Sequence, residues 1–456
     1  AGARAGGARP PGKGKAAGGK AARKAPLGAA DANAPGGVGA PPGKRVEDVY
    51  QKLSQLEHIL LRPDTYIGSV EKQIQVAWVL QDGGGEDAPV RMEQREVAFV
   101  PGLYKIFDEI LVNACDHKVR DPKMDQLRVD IDPASSAIRV YNNGRGIPVQ
   151  MHEVEGVYVP ELIFGHLLTS SNYNDDEKKL TGGRNGYGAK LANVFSTEFV
   201  VETCDGGGSG RRYRQTFRNN MQDKDTPEIS KCKASENWTC ITFKPDLEKF
   251  GMESLEEDTV ALMKRRVYDA AGCTGGLKVF LNGEKLPIAK FEDYVNLYLG
   301  KPKDEGALPR VFDKTDRWQV CVSVSQGQFQ QVSFVNSINT MKGGTHVNGV
   351  ADQISKELLA TKALKGHKSL KAFQVKNHLW VFVNSLIENP AFDSQTKETL
   401  TLKASSFGSK WTASPDFMKK VGKCGVVDNI LSWASFKQSK DLKKNDGAKR
   451  SRITGI

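Results

Sequence analysis

Apolar and polar positions repeat along this chain with two different periods. Apolar residues every three to four positions predict helices, whereas alternation with polar residues, or short apolar runs, predicts strands. The helical pattern covers residues 46–61, 101–118, 252–271 and 347–364, and a final segment from 426 to about 444. The strand pattern covers residues 127–131, 137–141, 199–203, 213–217, 239–243, 277–281, 318–325, 331–336 and 379–387. We therefore predict an α+β protein.

The composition changes near residue 45. Residues 1–45 are almost entirely Gly, Ala, Pro, Lys and Arg, which bury too little apolar surface to offset the entropy of ordering, so we predict a disordered basic tail. Residues 1–44 account for +7 of the net charge of +11 and leave +4 for the rest, so charge supports a nucleic-acid partner only weakly. We predict domains at 46–287 and 288–425, followed by a helical segment at 426–456.

Several classes of protein do not fit this sequence. No apolar run approaches the roughly 18–20 residues of a membrane helix, and the N-terminus lacks the apolar core of a secretory signal, so we expect an intracellular protein. The seven cysteines are odd in number and contain no CxxC pair, so we expect reduced, mostly buried thiols rather than disulfides or a zinc site. The seven histidines form no HExxH pair, and we predict no protein-held transition metal.

Two motifs combine carboxylate, carboxamide and glycine residues. Glu109 and Asn113 lie one turn apart on the helix predicted at 101–118. A carboxylate there can orient and deprotonate water, and an amide oxygen can coordinate Mg2+. In NNGRGIP (142–148), Asn142 can pair with a purine edge, and the glycines allow close backbone approach. Taken alone, these motifs also fit an exposed helix face and an ordinary turn.

Two further motifs could contact phosphate groups. The run TGGRNGYGAK (181–190) has four glycines, whose backbone N–H groups can surround phosphates. It is not a Walker A loop, because Ala189 follows Gly188, and it is not GxGxxG, because Leu191 occupies the third glycine position. In DSQTK (393–397), Lys397 follows an apolar strand and could reach across a domain boundary. A flexible loop and a solvated lysine remain the alternatives.

Together, the order and wording of these motifs resemble the Bergerat (GHKL) ATP-binding fold of gyrase, the heat-shock chaperone ATPase, histidine kinases and mismatch-repair ATPases. Four further runs are similar to eukaryotic type II DNA topoisomerases: QLEHILLRPDTYIGSVE (55–71), LTSSNY (168–173), FVNSINTMKGGTHV (334–347) and NPAFDSQTKE (389–398). The resemblance covers about residues 46–456. It implies an α/β sandwich ATPase domain followed by a smaller α/β domain, called the transducer, and a C-terminal helix.

The resemblance implies a role for each site residue. Glu109 is expected to be the general base, Asn113 to support Mg2+, and Asn142 to contact adenine. Gln395, Thr396 and Lys397 are expected to come from the transducer, with Lys397 at the γ-phosphate. The residues expected around the sugar and phosphates are Ser170, Ser171, Asn172, Gly183, Arg184, Asn185, Gly186, Tyr187, Gly188, Ala189 and Lys190.

The resemblance also implies an activity, Mg2+-dependent ATP hydrolysis that drives dimerisation of a gate around double-stranded DNA in the nucleus. Residues around Tyr50 resemble an arm that reaches the partner subunit's nucleotide. Candidate DNA contacts are Lys362, Lys365, Lys368 and Lys371, for which a solvated loop is the alternative. No membrane partner is expected.

The sequence departs from the family in two places and omits one region. After Asn113 the family pattern is Ala-Ala-Asp-Asn, but here Cys115 replaces the second Ala and His117 replaces the Asn. These replacements put the local pKa values and hydrogen bonding in doubt. The stretch 205–210 is unusually rich in glycine, and we expect a mobile surface loop. We find no EGDSA-like segment and no Arg-Tyr nucleophile region, so we expect ATP hydrolysis without DNA cleavage. The alternatives are a non-hydrolysing, ATP-regulated DNA-binding scaffold and a chaperone or mismatch-repair ATPase.

Overall fold

The computed structural model describes residues 50–81, 90–169, 177–183 and 186–446, with the backbone alone at 441–446. The predicted tail at 1–45 lies outside these residues. Backbone contacts divide the chain into a unit of residues 1–53 and a unit of residues 54–456, to which every element below belongs. The helices are α1 (Gln55–Leu61), α2 (Asp64–Ile67), α3 (Pro101–Arg120), α4 (Val159–Gly165), α5 (Gly188–Val194), α6 (Glu257–Cys273), α7 (Phe291–Leu299), α8 (Thr345–Ala360), α9 (Ala372–Lys376), α10 (Pro415–Val421) and α11 (Val426–Asp446). The strands are β1 (Gln73–Leu80), β2 (Met92–Phe99), β3 (Gln126–Asp132), β4 (Ala137–Asn143), β5 (Ser196–Asp205), β6 (Arg211–Arg218), β7 (Asp223–Lys224), β8 (Glu228–Lys231), β9 (Asn237–Pro245), β10 (Lys278–Leu281), β11 (Glu284–Lys285), β12 (Arg310–Lys314), β13 (Trp318–Val324), β14 (Gln330–Val335), β15 (Ile338–Asn339) and β16 (Leu379–Ser385).

A nine-stranded sheet forms the base of the first half of the molecule, which contains β1–β11. The second half contains β12–β16. Its order is β11-β10-β3-β4-β9-β5-β6-β7, and β8 pairs with β6. Every second residue of β3 and β4 is buried, as at Leu127 and Val129 on β3 and Val140 on β4. Since successive side chains of a strand point to opposite faces, one face of the sheet is covered. Helices α3, α5 and α6 share the core with these residues, which gives a two-layer α/β sandwich and confirms the predicted fold class.

A five-stranded sheet with the order β12-β13-β16-β14-β15 forms the second half. Its central strand, β16, is buried at every position. Trp380 and Phe382 belong to the core of the first half. Val381 and Val383, on the opposite face, belong to a second core shared with α8, α10 and α11. Strand β16 therefore lies between two hydrophobic cores and joins the two halves.

The domain boundary at 287/288 stays a prediction. Helix α7 begins at Phe291, just beyond it, but packs into the first core. The Tyr294 hydroxyl of α7 donates a hydrogen bond to Asp269 of α6 at 2.7 Å. The change in sequence character near 288 therefore does not coincide with a break in packing. Helix α11 lies within the predicted segment 426–456, whose last ten residues are outside the described part of the chain.

The helix predicted at 46–61 is wrong in its first part, as far as the described residues reach. Residues 50–54 are not helical, and α1 begins at Gln55. The Ser54 side chain accepts a hydrogen bond from the Glu57 backbone, and the Glu57 carboxylate accepts one from the Ser54 backbone. This capping box starts the helix at a defined residue even though apolar residues recur before it. The hairpin of β1 and β2 was not predicted, although large apolar residues alternate at Ile74, Val76 and Trp78; the side chains of Ile74 and Val76 are exposed.

Two observations bear on the protein classes considered from composition. All seven cysteines are free thiols, and five of them are buried. None of the described helices is both long enough and apolar enough to cross a lipid bilayer.

A buried ion pair links the two halves of the molecule. The Arg266 side chain of α6 is fully buried, and its Nε donates to Asp108 Oδ1 of α3 at 2.6 Å. Its Nη2 donates to the Ser337 carbonyl, between β14 and β15, also at 2.6 Å. One guanidinium therefore holds α3, α6 and the second sheet together.

We expect Arg266→Met to lower the free energy of unfolding by about 3–5 kcal/mol, because Asp108 loses its buried hydrogen-bonded partner and is left with the more distant Lys105 Nζ at 4.0 Å. Chemical denaturation followed by circular dichroism measures this change. The matched control is Arg214→Met, whose partner Glu228 is largely exposed at 3.3 Å, and which should cost about 0–1 kcal/mol. Equal losses in the two variants would contradict the importance of the buried pair.

Candidate active site

A cavity of about 580 Å³ lies between the nine-stranded sheet, helices α3 and α5, and a loop of the second half. This volume is within the range of small-molecule and cofactor pockets, about 300–1,000 Å³. The apolar residues of the wall are Ile110, Ala114, Val140, Ile147, Val159, Leu162, Ile163, Phe164 and Ile241. The wall also carries glycines, lysines, carboxamides, histidines, Arg120, Glu109 and Glu155. A ligand with both apolar and charged parts would match this lining.

Three buried charges meet at the wall of the cavity. Lys105 Nζ lies 2.7 Å from Glu109 Oε1, one helical turn away on α3. Lys397 Nζ, from the second half, donates to the same oxygen at 3.0 Å. All three side chains are less than a tenth exposed. The Lys397–Glu109 contact therefore joins the two halves inside the cavity.

The two lysines determine the charge state of Glu109. Burial by itself would raise the pKa of the carboxyl, but the charges and hydrogen bonds of Lys105 and Lys397 outweigh it and lower the pKa of Glu109 to about 2. Burial lowers the pKa of Lys105. Burial also disfavours the Lys397 ammonium, but Glu109 outweighs this effect and raises the pKa of Lys397. In this arrangement Glu109 is a firmly ionised carboxylate.

The loop that carries Lys397 has a constrained backbone. Lys397 has a φ of +61°, a left-handed conformation that is unfavourable for a residue with a side chain. This conformation accompanies the entry of Lys397 into the cavity, where Gln395 also forms part of the wall. Thr396 is not among the residues that line the cavity, and its ligand role stays a prediction. Its hydroxyl is 2.7 Å from that of Ser394.

The glycine-rich segment is anchored to α3 by a carboxylate. Asp116 accepts hydrogen bonds from the backbone N–H groups of Gly182 at 2.8 Å and Gly183 at 2.9 Å. A Cβ on Gly188, where α5 begins, would lie 1.9 Å from Glu109 Oε2. Only glycine allows the start of α5 to approach the carboxylate this closely.

Lys190 points back along the same segment. Its Nζ donates to the carbonyls of Gly186 and Thr169, each at 2.8 Å. Burial lowers the pKa of Lys190 to about 8, so its ammonium is the predominant form at neutral pH. A cation that contacts carbonyl oxygens, with no carboxylate partner among the described residues, is available to an incoming anion.

Two carboxamides and a histidine line the wall beside Glu109. Asn113 faces the glycine segment, since a Cβ on Gly183 would lie 3.4 Å from its Oδ1. A single amide oxygen fits Mg2+, which keeps several waters and takes its other ligands from phosphates. Asn142 lies on β4 and lines the cavity, as does Val140 of the same strand. His117 also lines the cavity, and burial lowers the pKa of its imidazole below the usual range.

The second half also holds the described segment 177–183 directly. Asn336 Nδ2 donates to the Thr181 carbonyl at 3.3 Å and to the Ile387 carbonyl at 2.8 Å. The Asn389 backbone N–H donates to the Lys179 carbonyl at 3.0 Å. Asn336 and Asn389 belong to the runs FVNSINT and NPAF, so these runs connect the second half to the edge of the cavity.

The structure brings most of the predicted site residues together, and their individual roles stay predictions. Those that line the cavity are Glu109, Asn113, Asn142, Gly183, Gly186, Tyr187, Gly188, Ala189, Lys190, Gln395 and Lys397. Ser170, Ser171, Asn172, Arg184 and Asn185 lie outside the described residues. Sequence reasoning missed Lys105, although it stands at i−4 from Glu109, the spacing of helical charge pairs. It also missed the anchoring role of Asp116, although positions 109, 113 and 116 share one face of the predicted helix.

Comparison with known proteins defines the class first. Residues 100–249 match the family model of the histidine kinase-, DNA gyrase B- and HSP90-like ATPases. Residues 290–449 match the model of DNA gyrase B. The first match contains Glu109, Asn113, Asn142 and the glycine-rich segment, and the second contains Lys397. The fold and site are therefore those of a GHKL ATPase followed by a transducer.

Solved structures and curated proteins narrow the class. The ATPase region of Saccharomyces cerevisiae topoisomerase II superposes with a TM-score of 0.79 at 49% identity, over 86% of this chain and all of that one. The ATPase and transducer domains of DNA topoisomerase II from Balamuthia mandrillaris give 0.81 at 48% identity, over 87% of this chain and all of that one. The chain belongs to the family of type II DNA topoisomerases and corresponds to their ATPase region.

Full-length relatives are similar over most of this chain. DNA topoisomerase 2 of Arabidopsis thaliana is 62% identical over 417 residues, which are 90% of this chain and 28% of that protein. DNA topoisomerase 2-alpha of Homo sapiens is 56% identical over 417 residues, 90% of this chain and 27% of that protein. The chain thus spans little more than a quarter of the curated relatives that it matches.

We expect Glu109→Gln to lower the free energy of unfolding at neutral pH by about 3 kcal/mol, because Lys105 and Lys397 lose their buried counter-charge. The folded-state pKa of about 2 lies below the ordinary 4.5, so the carboxylate stabilises the protein above about pH 4.5 and this contribution is lost as the pH falls toward 2. The difference in free energy of unfolding between Glu109→Gln and the unmutated chain should decrease between about pH 4.5 and pH 2 in denaturant titrations. The exposed Glu253→Gln should show no such trend, and a difference that is independent of pH would contradict the assignment.

Proposed function

We propose that this chain is an ATP-operated gate of a type II DNA topoisomerase. It binds ATP with Mg2+ in the cavity, hydrolyses it, and uses the cycle to close and open a pair of identical subunits around double-stranded DNA. Membership of the family, the size of the cavity and its apolar and charged lining residues support this proposal. In this proposal the adenine occupies the apolar part near Asn142, and the phosphates lie along the glycine-rich segment.

The observation that carries the proposal is the contact of Lys397 with Glu109. A γ-phosphate placed between the glycine-rich segment and Glu109 would compete for the same ammonium, since both are anions. Binding of ATP would then transfer Lys397 from the carboxylate to the phosphate, and loss of the phosphate would return it. Because Lys397 belongs to the second half, this exchange couples hydrolysis to a movement of one half against the other.

The same exchange would change the basicity of Glu109. A carboxylate with a pKa of about 2 is a weak base. When Lys397 moves to the phosphate, Glu109 loses one of its two cations, and its affinity for a proton rises. Glu109 then orients the attacking water and accepts its proton. Catalysis of phosphoryl transfer is mostly positioning and charge neutralisation, which this arrangement supplies.

Neutralisation of the phosphates is shared among several groups. Mg2+, held through Asn113 and phosphate oxygens, would offset charge on the triphosphate. Lys190 would exchange its two carbonyl partners for phosphate oxygens, and Lys397 would complete the charge balance. The backbone N–H groups of the glycine-rich segment supply the remaining hydrogen bonds.

The DNA contacts and the nuclear location stay predictions. Lys362, Lys365, Lys368 and Lys371 are exposed, just beyond α8, and carry no ion pair among the described residues. Exposed lysines without local counter-charges are suited to phosphate backbones. The nuclear assignment rests on the eukaryotic topoisomerase 2 relatives.

We expect Glu109→Gln to retain ATP binding and analogue-induced dimerisation but to lose turnover by about 100-fold or more, the usual contribution of a general base. Phosphate release measures turnover, and light scattering with Mg2+ and a non-hydrolysable ATP analogue measures molar mass. Circular dichroism checks that the variant is folded at the assay temperature. Glu253→Gln is the control, with unchanged turnover. Hydrolysis near the unmutated rate would remove Glu109 from the mechanism.

We expect Lys397→Met to reduce dimerisation and turnover far more than nucleotide affinity. The reason is that the contact of Lys397 with the γ-phosphate couples the bound nucleotide to the second half. Affinity is measured with a fluorescent nucleotide, and dimerisation by molar mass with the analogue. The control is Lys342→Met, which removes an exposed lysine that pairs with Glu398. Unchanged dimerisation in the Lys397 variant would exclude the switch.

The alternative function is an ATP-regulated scaffold that binds DNA without turnover. The ionised Glu109 in the cavity favours hydrolysis, since a scaffold has no need of a base. Phosphate release from the unmutated chain decides between the two functions. A chaperone or mismatch-repair role is disfavoured by the close similarity to topoisomerase II along the whole ATPase region.

A further inference from the structure

A second cluster of chemically reactive side chains lies away from the cavity. Cys204, Cys232 and Glu236 place two sulfurs and a carboxylate oxygen within 4.8 Å of one another. Sequence spacing predicted no transition-metal site, because the chain contains no CxxC pair and no HExxH pair. The fold brings these three residues together.

The topology of the large sheet explains the cluster. Cys204 is near the end of β5, which pairs with β6 on one side and β9 on the other. Strand β8, which precedes Cys232, pairs with β6. The loop 232–236 must therefore cross the ends of β6 and β5 before β9 begins. This crossing places Cys232 and Glu236 over Cys204.

The crossing loop is fixed to the glycine-rich turn 205–210. The Cys232 N–H donates to the Gly210 carbonyl at 3.1 Å, and the Gly206 N–H donates to the Glu236 carbonyl at 3.0 Å. The Asp205 carboxylate accepts a hydrogen bond from the Ser209 N–H at 2.9 Å. This stretch, expected to be a mobile loop, is therefore a hydrogen-bonded turn.

Gly206 allows the loop to lie this close. A Cβ at that position would be 2.0 Å from the Lys233 carbonyl oxygen and 2.6 Å from that of Glu236. Any other residue would force the crossing loop, and with it Cys232, away from Cys204. The glycine-rich sequence and the approach of the two cysteines are thus parts of one arrangement.

We propose that Cys204, Cys232 and Glu236 form a binding site for a thiophilic divalent cation such as Zn2+. Two thiolates and one carboxylate are ordinary zinc ligands, and water can take the fourth position because Glu236 is exposed. Tetrahedral zinc with Zn–S bonds of about 2.3 Å holds its ligand atoms about 3.5–3.8 Å apart. The three side chains need to contract by only about 1 Å to reach that geometry.

The protonation of the thiols gives the site a characteristic pH dependence. Both thiols must release their protons to solvent when the cation binds, so its apparent affinity rises with pH.

The site would stiffen a wall of the nucleotide cavity. A Cβ on Gly146 would lie 2.0 Å from the Cys204 carbonyl oxygen, and the Ile147 N–H donates to Thr203 Oγ1 at 2.9 Å. Ile147 lines the cavity. The cation site itself does not depend on the proposed ATPase function, because its ligands are outside the cavity.

The test uses the tag-free, reduced chain after chelation and removal of the chelator. Competition with a chromophoric chelator should give one tightly bound Zn2+ per chain, and Co2+ should show sulfur-to-metal charge-transfer and tetrahedral d–d bands. Zn2+ should also raise the midpoint of thermal unfolding, because it binds the folded state.

Variants identify the ligands. Cys232→Ser replaces a half-buried thiol and should abolish stoichiometric binding, the Co2+ spectrum and the thermal shift. Glu236→Gln should weaken binding by at least about tenfold. Cys424→Ser, which removes another half-buried thiol, is the matched control and should retain all three signals.

Two results would overturn the proposal. The first is no stoichiometric Zn2+ binding by the reduced chain, including a chain that is isolated with a Cys204–Cys232 disulfide, detected by mass spectrometry, and then reduced. The second is undiminished binding by Cys232→Ser. Neither of these results depends on ATP turnover, so failure of the metal site and failure of the gate are distinguishable.

Discussion

Two lysines and one carboxylate, all buried, meet where the two halves of the molecule touch. Isolated charges at such depth would be strongly destabilising, so each of Lys105, Glu109 and Lys397 requires the others. Lys105 and Glu109 share one helix, whereas Lys397 comes from a loop of the other half. Removing Lys397 from Glu109 is therefore favourable only when another anion takes its place. This condition makes the contact between the halves sensitive to a bound phosphate.

The rest of the architecture keeps the halves close enough for that contact. Strand β16 is buried on both faces and belongs to two cores. Arg266 joins α3 and α6 to the turn after β14, and Asn336 joins the same region to the glycine-rich segment. A shift of the second half would therefore change the hydrogen bonds at Thr181 as well as at Glu109. The halves are joined by apolar packing, and the polar contacts at the cavity edge are the part that a ligand can alter.

Close backbone approaches recur at both sites of the molecule. Gly188 lets α5 begin against Glu109, Gly146 lets its turn lie on Cys204, and Gly206 lets the crossing loop lie on the turn 205–210. In each case a Cβ would meet a polar atom at about 2 Å. A glycine-rich stretch in this chain thus marks close packing in some places, where composition alone suggests mobility.

The sequence by itself determined the class of protein and most of the cavity. Periodicity predicted the sandwich strands and α3, because burial on one face leaves a regular pattern of apolar residues. Short motifs predicted Glu109, Asn142 and Lys190, because phosphate and purine binding need particular residues at short spacing. Tertiary structure alone decided which distant groups meet. The contact of Lys397 with Glu109, the anchoring of Gly182 by Asp116 and the meeting of Cys204 with Cys232 depend on strand order and on loops that cross the sheet, and residues far apart in sequence carry no local sign of their partners. The start of α1 was decided by the hydrogen bonds of Ser54, which apolar periodicity does not record.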